Sequence, residues 1–133
     1  MDTLRSFFIS FIVLVLADFI WLGFIMKPFI QRELGSLMRE GGLLIGPAAF
    51  VYALLAIGIS YFVIPRIGLN SFWGNAFLVG ALFGLIVYGV YDLTNVSVLK
   101  GYSWKFLFVD IAWGTFACGL TTVIVFLLTR SGE

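Results

Sequence analysis

Three carboxylic acids stand where the chain is otherwise uncharged: Asp18 is the only charge between Arg5 and Lys27, Asp92 between Arg66 and Lys100, and Asp110 between Lys105 and Arg130. A carboxyl in such surroundings can store a proton, act as a general acid or base, accept hydrogen bonds from another helix, or join others around a hard cation. The neighbours of these acids are polar at helical spacing. Tyr88, Tyr91, Asp92 and Asn95 fall at i, i+3, i+4 and i+7, one face of a helix, with Thr94 beside them. Asp18 with Trp21, and Asp110 with Trp113, form two D-x-x-W pairs, each placing an acid and an indole N–H on one side of a helix.

Other chemistries lack their residues. The chain has no histidine and one cysteine, Cys118, in an apolar run, so a zinc or soft-metal site and an intrachain disulfide are both excluded. Nothing supplies a nucleophile elbow or a phosphate loop, and no lysine stands at the depth of the acids to form a Schiff base; no cofactor is expected. Eight Lys plus Arg against seven Asp plus Glu leave no basic surface, so no nucleic-acid partner is expected. Asn95-Val96-Ser97 matches a glycosylation sequon but lies too near a helix interior to be reached.

What positions the acids is a membrane fold. The chain is 62% hydrophobic and 11% charged, against about 25% charged in a soluble domain. Four stretches, 6–26, 43–64, 73–99 and 103–129, match the roughly 20 apolar residues that a transmembrane helix needs. The expected fold is therefore all-α: four transmembrane helices in an antiparallel bundle, one transmembrane domain over residues 1–133, with the lipid bilayer as its partner. Lys27-Pro28, Gly41-Gly42, Pro65 and Gly101 mark the breaks. Val15-Leu16-Ala17 resembles a signal-cleavage site, but the apolar run resumes through Phe19 to Met26 and reads as an uncleaved helix. Residues 29–40 put Ile30, Leu34, Leu37 and Met38 opposite Gln31, Arg32, Ser36 and Arg39, which suits a short interfacial helix; Gly35 in the middle leaves a solvated loop as the alternative. Trp73 and Trp104 read as interface anchors.

Four spans place both termini on one side, face A, with Arg5, Arg66 and Arg130. Face B holds Lys27, Arg32, Arg39, Lys100 and Lys105, and the excess marks it as cytoplasmic. Counting from the turn at Gly101, Asp92 and Asp110 lie level, roughly 10 Å below face B, and Asp18 roughly 13 Å below it. Asp2, Glu33, Glu40 and Glu133 fall in loops or termini. Ala76, Gly80 and Gly84 lead at i+4 spacing to Tyr88 and Asp92, while Asp110 opens the row Gly114, Cys118, Thr122. Such rows of small residues let transmembrane backbones approach closely, and they bring Asp92 and Asp110 toward one seam.

All three aspartates are therefore expected to meet in a carboxylate-rich pocket toward face B with no basic partner, retaining at least one proton among them. Three functions follow from that setting. The first is proton- or cation-coupled transport or binding of a small ligand, with a hard cation at Asp18, Asp92 and Asp110 as one form; four helices seldom enclose a pathway, so a homo-oligomer is expected. The second is a membrane-embedded enzyme or pocket for a lipid, with an aspartate as acid or base. The third is a structural or assembly partner, in which the acids are interhelical hydrogen-bond glue worth about 0.6 kcal/mol each.

The segments "LADFIWLGF" (16–24) and "GALFGLIVYGVYDLTNVSVLKGYSWKFLFVDIAWG" (80–114), with the four-span length, resemble the bacterial family designated domain of unknown function 2177. The resemblance rests on Y-D-L-T-N at Tyr91 to Asn95, on D-x-x-W-G at Asp110 to Gly114, and on the first D-x-x-W at Asp18 and Trp21. It implies a small multi-pass protein of the bacterial inner membrane and brings no activity with it.

Overall fold

Helix follows helix because nothing in the apolar stretches interrupts the backbone ladder until a proline or a positive-φ glycine does. The computed structural model describes residues 2–38, 41, 44–68 and 70–131, without the side chains of Arg130 and Ser131. Arg39, Glu40, Gly42 and Glu133, used above in placing charges and breaks, lie outside the described residues.

Helix α1 (Thr3–Ile20) starts at Asp2, whose carboxylate accepts the Leu4 N–H at 3.0 Å. It continues as a π-helical turn, Trp21–Ile25, closed by the Met26 N–H on the Trp21 carbonyl at 2.8 Å. Pro28 then sits in the first turn of α2 (Lys27–Leu34), where its missing N–H costs nothing. Helix α3 (Ile45–Ile57) runs on through a π-helical segment, Gly58–Val63, into a last tight turn, Ile64–Arg66, that contains Pro65. Helices α4 (Trp73–Val98) and α5 (Trp104–Ser131) are uninterrupted. Four stretches are long and apolar enough to cross a membrane: Thr3–Ile25, Ile45–Arg66, Trp73–Val98 and Trp104–Thr129. The protein is an all-helical bundle with no strand among the described residues.

The segment expected to be one interfacial helix over 29–40 is shorter. It begins at Lys27, ends at Leu34, and passes at Gly35 into a single 3₁₀ turn. Phe29, Ile30 and Leu34 pack against Tyr102, Phe106 and Leu107, so α2 covers the α4–α5 turn. Leu37 and Met38, assigned above to the same apolar side, are instead exposed. Glu33 fixes α2 in place by accepting the Ser103 hydroxyl at 2.5 Å, while the same hydroxyl accepts the Phe106 N–H at 3.1 Å and caps α5.

Helices α4 and α5 form a hairpin whose turn depends on Gly101 at φ +76°, a conformation that side chains rarely adopt. The two helices lie so close that a Cβ on Gly84 would collide with the Gly114 carbonyl, one on Gly80 with Thr122, and one on Gly114 with the Tyr88 ring. Ala76 and Cys118 are both fully buried. A second core, toward face A, joins Leu14 of α1, Leu55 of α3, Ile59 and Val63 of the π segment, Ala76 of α4, and Val125 and Phe126 of α5. The outer surface carries Phe8, Ile12, Leu54, Leu78, Leu82 and Phe108 exposed, as a lipid-facing shell requires.

Candidate functional site

The three acids divide into two groups. Asp18 is half-buried, and each of its oxygens accepts a hydrogen bond from a different helix. Tyr52 of α3 donates its hydroxyl to Oδ2 at 2.7 Å, and Trp113 of α5 donates Nε1–H to Oδ1 at 2.7 Å. The indoles of Trp21 and Trp113 stack with centroids 4.3 Å apart and planes 1° from parallel. The two D-x-x-W pairs are thus crossed: the acid of the first meets the indole of the second. The acid of the second goes elsewhere.

Asp92 is completely buried. Tyr102, in the turn beyond α4, donates its hydroxyl to Oδ1 at 2.5 Å. Oδ2 has no hydrogen-bond partner among the described residues, and Asp92 is the acid that acts most strongly on the half-buried carboxyl of Asp110. Ionised carboxylates only accept, so a bond between these two needs a proton on one of them. The Asn95 side chain lies near the hydroxyls of both Tyr91 and Tyr102 and extends the polar group toward face B. Burial, followed by the bond to Asp92, pushes the Tyr102 phenol above its ordinary range, so it remains a donor. Tyr88 stands between the groups: its ring lies on Gly114, and its hydroxyl feels Asp18, Cys118 and Asp110.

The geometry revises several expectations. Asp92 and Asp110 come together, whereas Asp18 has separate partners and reaches Asp110 only through its field. Thr94, placed by sequence beside the polar face, is exposed on the outside of α4, and Tyr91 is 57% exposed with only its hydroxyl turned back to Asn95. Among the described residues no three acidic or thiol groups converge to hold a metal ion, so Asp18, Asp92 and Asp110 do not form a cation cage.

Sequence reading missed the donors. Tyr52 is the only polar side chain between Leu44 and Ile57, which was a usable signal. Tyr102 follows the turn glycine directly, within one turn of the level of Asn95, and that too was visible. A row Ser6, Ser10, Leu14, Asp18 at i+4 also passed unnoticed; all of its members except Asp18 are fully or almost fully buried.

Together these features define a four-span membrane protein with an acid group inside its bundle. A family model described as predicted membrane protein, domain of unknown function 2177, matches residues 3–127, and the chain belongs to that family. No curated protein and no solved structure matches it.

Proposed function

We propose that the protein holds a proton on the Asp92–Asp110 pair and couples its release and uptake to the binding or transport of a small ligand. In this reading it works as a homo-oligomer in a bacterial inner membrane, with face B on the cytoplasmic side. The observation that carries the reading is Asp92 itself, fully buried, with one oxygen held by Tyr102, the other without a hydrogen-bond partner among the described residues, and a second acid, Asp110, as its electrostatic neighbour. Ionising both acids would leave two like charges in contact at low dielectric with no cation beside them, so one proton belongs to the pair. A ligand or water that entered and stabilised the second charge would release that proton.

A second reading applies to Asp18. Its two saturating donors on α3 and α5 are what a structural staple needs, and they favour a holding role for this acid over a proton-carrying one.

Proteoliposomes containing a pH-sensitive dye test the proposal. Under an imposed pH gradient the wild type should carry protons, Asp92→Asn and Asp110→Asn should not, and Asp18→Asn should keep most of the flux. A monomeric protein that adds no flux to empty liposomes would contradict the reading.

A further inference from the structure

The end of the bundle that carries the α4–α5 turn gathers positive charge that the fold does not use. Lys27 opens α2, Arg32 lies in its last turn, Lys100 precedes the turn glycine, and Lys105 is the second residue of α5; all four are exposed. Lys27, Lys100 and Lys105 make no ion pair among the described residues. Arg32 has one acid near it, Glu33 at 3.9 Å, but Glu33 already accepts the Ser103 hydroxyl. The Arg32 guanidinium lies instead over the Phe29 ring, 5.5 Å from its centroid. Apart from the acids inside the bundle, Glu33 is the one acid at this end among the described residues.

The bond from Ser103 to Glu33 brings these charges to one place. It ties the end of α2 to the start of α5, so Arg32 adjoins the residue that holds Ser103. Lys100 and Lys105 are three and two residues from Ser103 along the chain, hence within roughly 11 Å of it. Lys27 stands roughly 7.5 Å from Arg32 along α2. Apolar surface adjoins the charges: Trp104 and Phe108 are 61% and 66% exposed on α5, with ring centroids 6.4 Å apart. Lys105 is three residues from Phe108 and so its neighbour on the helix surface.

We propose that this surface binds the headgroup of an anionic phospholipid. Arg32, Lys100 and Lys105 serve its phosphate, their long stems bending to the headgroup level, and Trp104 and Phe108 meet the upper part of an acyl chain. Clusters of cations at the edge of a transmembrane helix attract anionic lipid, and a guanidinium matches phosphate in shape as well as charge. A soluble anion would use the charges alone; exposed rings beside them favour a lipid. The opposite end of the bundle supplies the contrast. Phe72 and Trp73 are as exposed there, at 60% and 58%, but the charged side chains described at that end are Arg5 and Arg66 with Asp2. Rings anchor both ends, and the excess of cations selects at one.

Tryptophan quenching by brominated lipids tests the site on the full-length protein in liposomes. Phosphatidylcholine vesicles with a small fraction of brominated phosphatidylglycerol are compared with vesicles holding the same fraction of brominated phosphatidylcholine. The wild type should prefer the anionic lipid by about five-fold, the equivalent of one cation beside an anionic surface. Trp104→Phe should remove the excess quenching and Trp73→Phe should keep it. The triple variant Arg32→Gln/Lys100→Gln/Lys105→Gln should bring the two lipids level, with its unfolding midpoint in phosphatidylcholine unchanged because all three side chains are exposed. Equal quenching by the two lipids in the wild type, or an excess that survives Trp104→Phe or the triple substitution, would overturn the proposal. Proton flux enters none of these readouts, so the lipid site and the carboxyl pair stand or fall separately.

Discussion

Asp18 and Asp92 are the same residue type at similar depth in the same bundle, yet the structure treats them oppositely. Asp18 is half-buried and bonded on both oxygens, with a phenol on one and an indole N–H on the other. Asp92 is fully buried and half-satisfied, with one phenol and a second acid. Burial depth alone would rank Asp92 as the better staple. Donor count reverses that ranking: a carboxyl with a neutral donor on each oxygen is held in place, whereas one with a single donor and a second acid for a neighbour is the one to which the proposed reading gives the exchangeable proton. On the proposed reading, the donor supply around each acid separates the one that holds helices together from the pair that exchanges a proton.

The largest effect should fall on the proton pair. Asp92→Asn and Asp110→Asn preserve shape and abolish proton movement, while Asp18→Asn leaves it largely intact; equal losses in all three would erase the distinction between the groups. Next is Gly84→Leu, whose side chain must displace the Gly114 backbone and so parts the helices that bring Asp92 to Asp110. It should cost about 3 kcal/mol and end activity, with the loss read from unfolding in detergent.

Asp18→Ala strands the Tyr52 hydroxyl and the Trp113 N–H. The loss should be about 1–3 kcal/mol, between the ~0.6 kcal/mol mean for a membrane hydrogen bond and the cost of two orphaned donors. It should leave proton binding by the pair unchanged. Smallest is Trp113→Phe, which removes one donor but keeps an aromatic ring against Trp21, costing about 1 kcal/mol and altering Trp21 fluorescence. A Trp113→Phe protein as unstable as Asp18→Ala would mean that the indole stack, and not the carboxylate, holds α1 to α5.

Much of this was legible in the sequence, for a reason particular to membranes. Lipid and protein interior are equally apolar, so hydrophobic periodicity does not reveal which side of a span is buried; only small and polar residues do. The small residues at Gly80, Gly84, Gly114 and Cys118 therefore carry the sequence signal for the close approach of α4 and α5, and counting to Gly101 sets Asp92 and Asp110 at equal distances from the turn. Thr94 was misplaced because one position along a helix is a rotation of about 100°, enough to carry it from the seam to the outside. The partners of Asp18 depend on how α1, α3 and α5 are rotated against one another, and the π-helical segments at Trp21–Ile25 and Gly58–Val63 alter that rotation without a sequence signal. Tyr52 and Tyr102 were visible as isolated hydroxyls, but which acid each would reach was not.

The most direct measurement is infrared spectroscopy of the protein in lipid at neutral pH, following the carbonyl stretch that only a protonated carboxyl shows. A band that persists in Asp18→Asn and vanishes in both Asp92→Asn and Asp110→Asn is the predicted result. A wild-type spectrum without that band, or a band removed by Asp18→Asn alone, would contradict the assignment of the shared proton to Asp92 and Asp110.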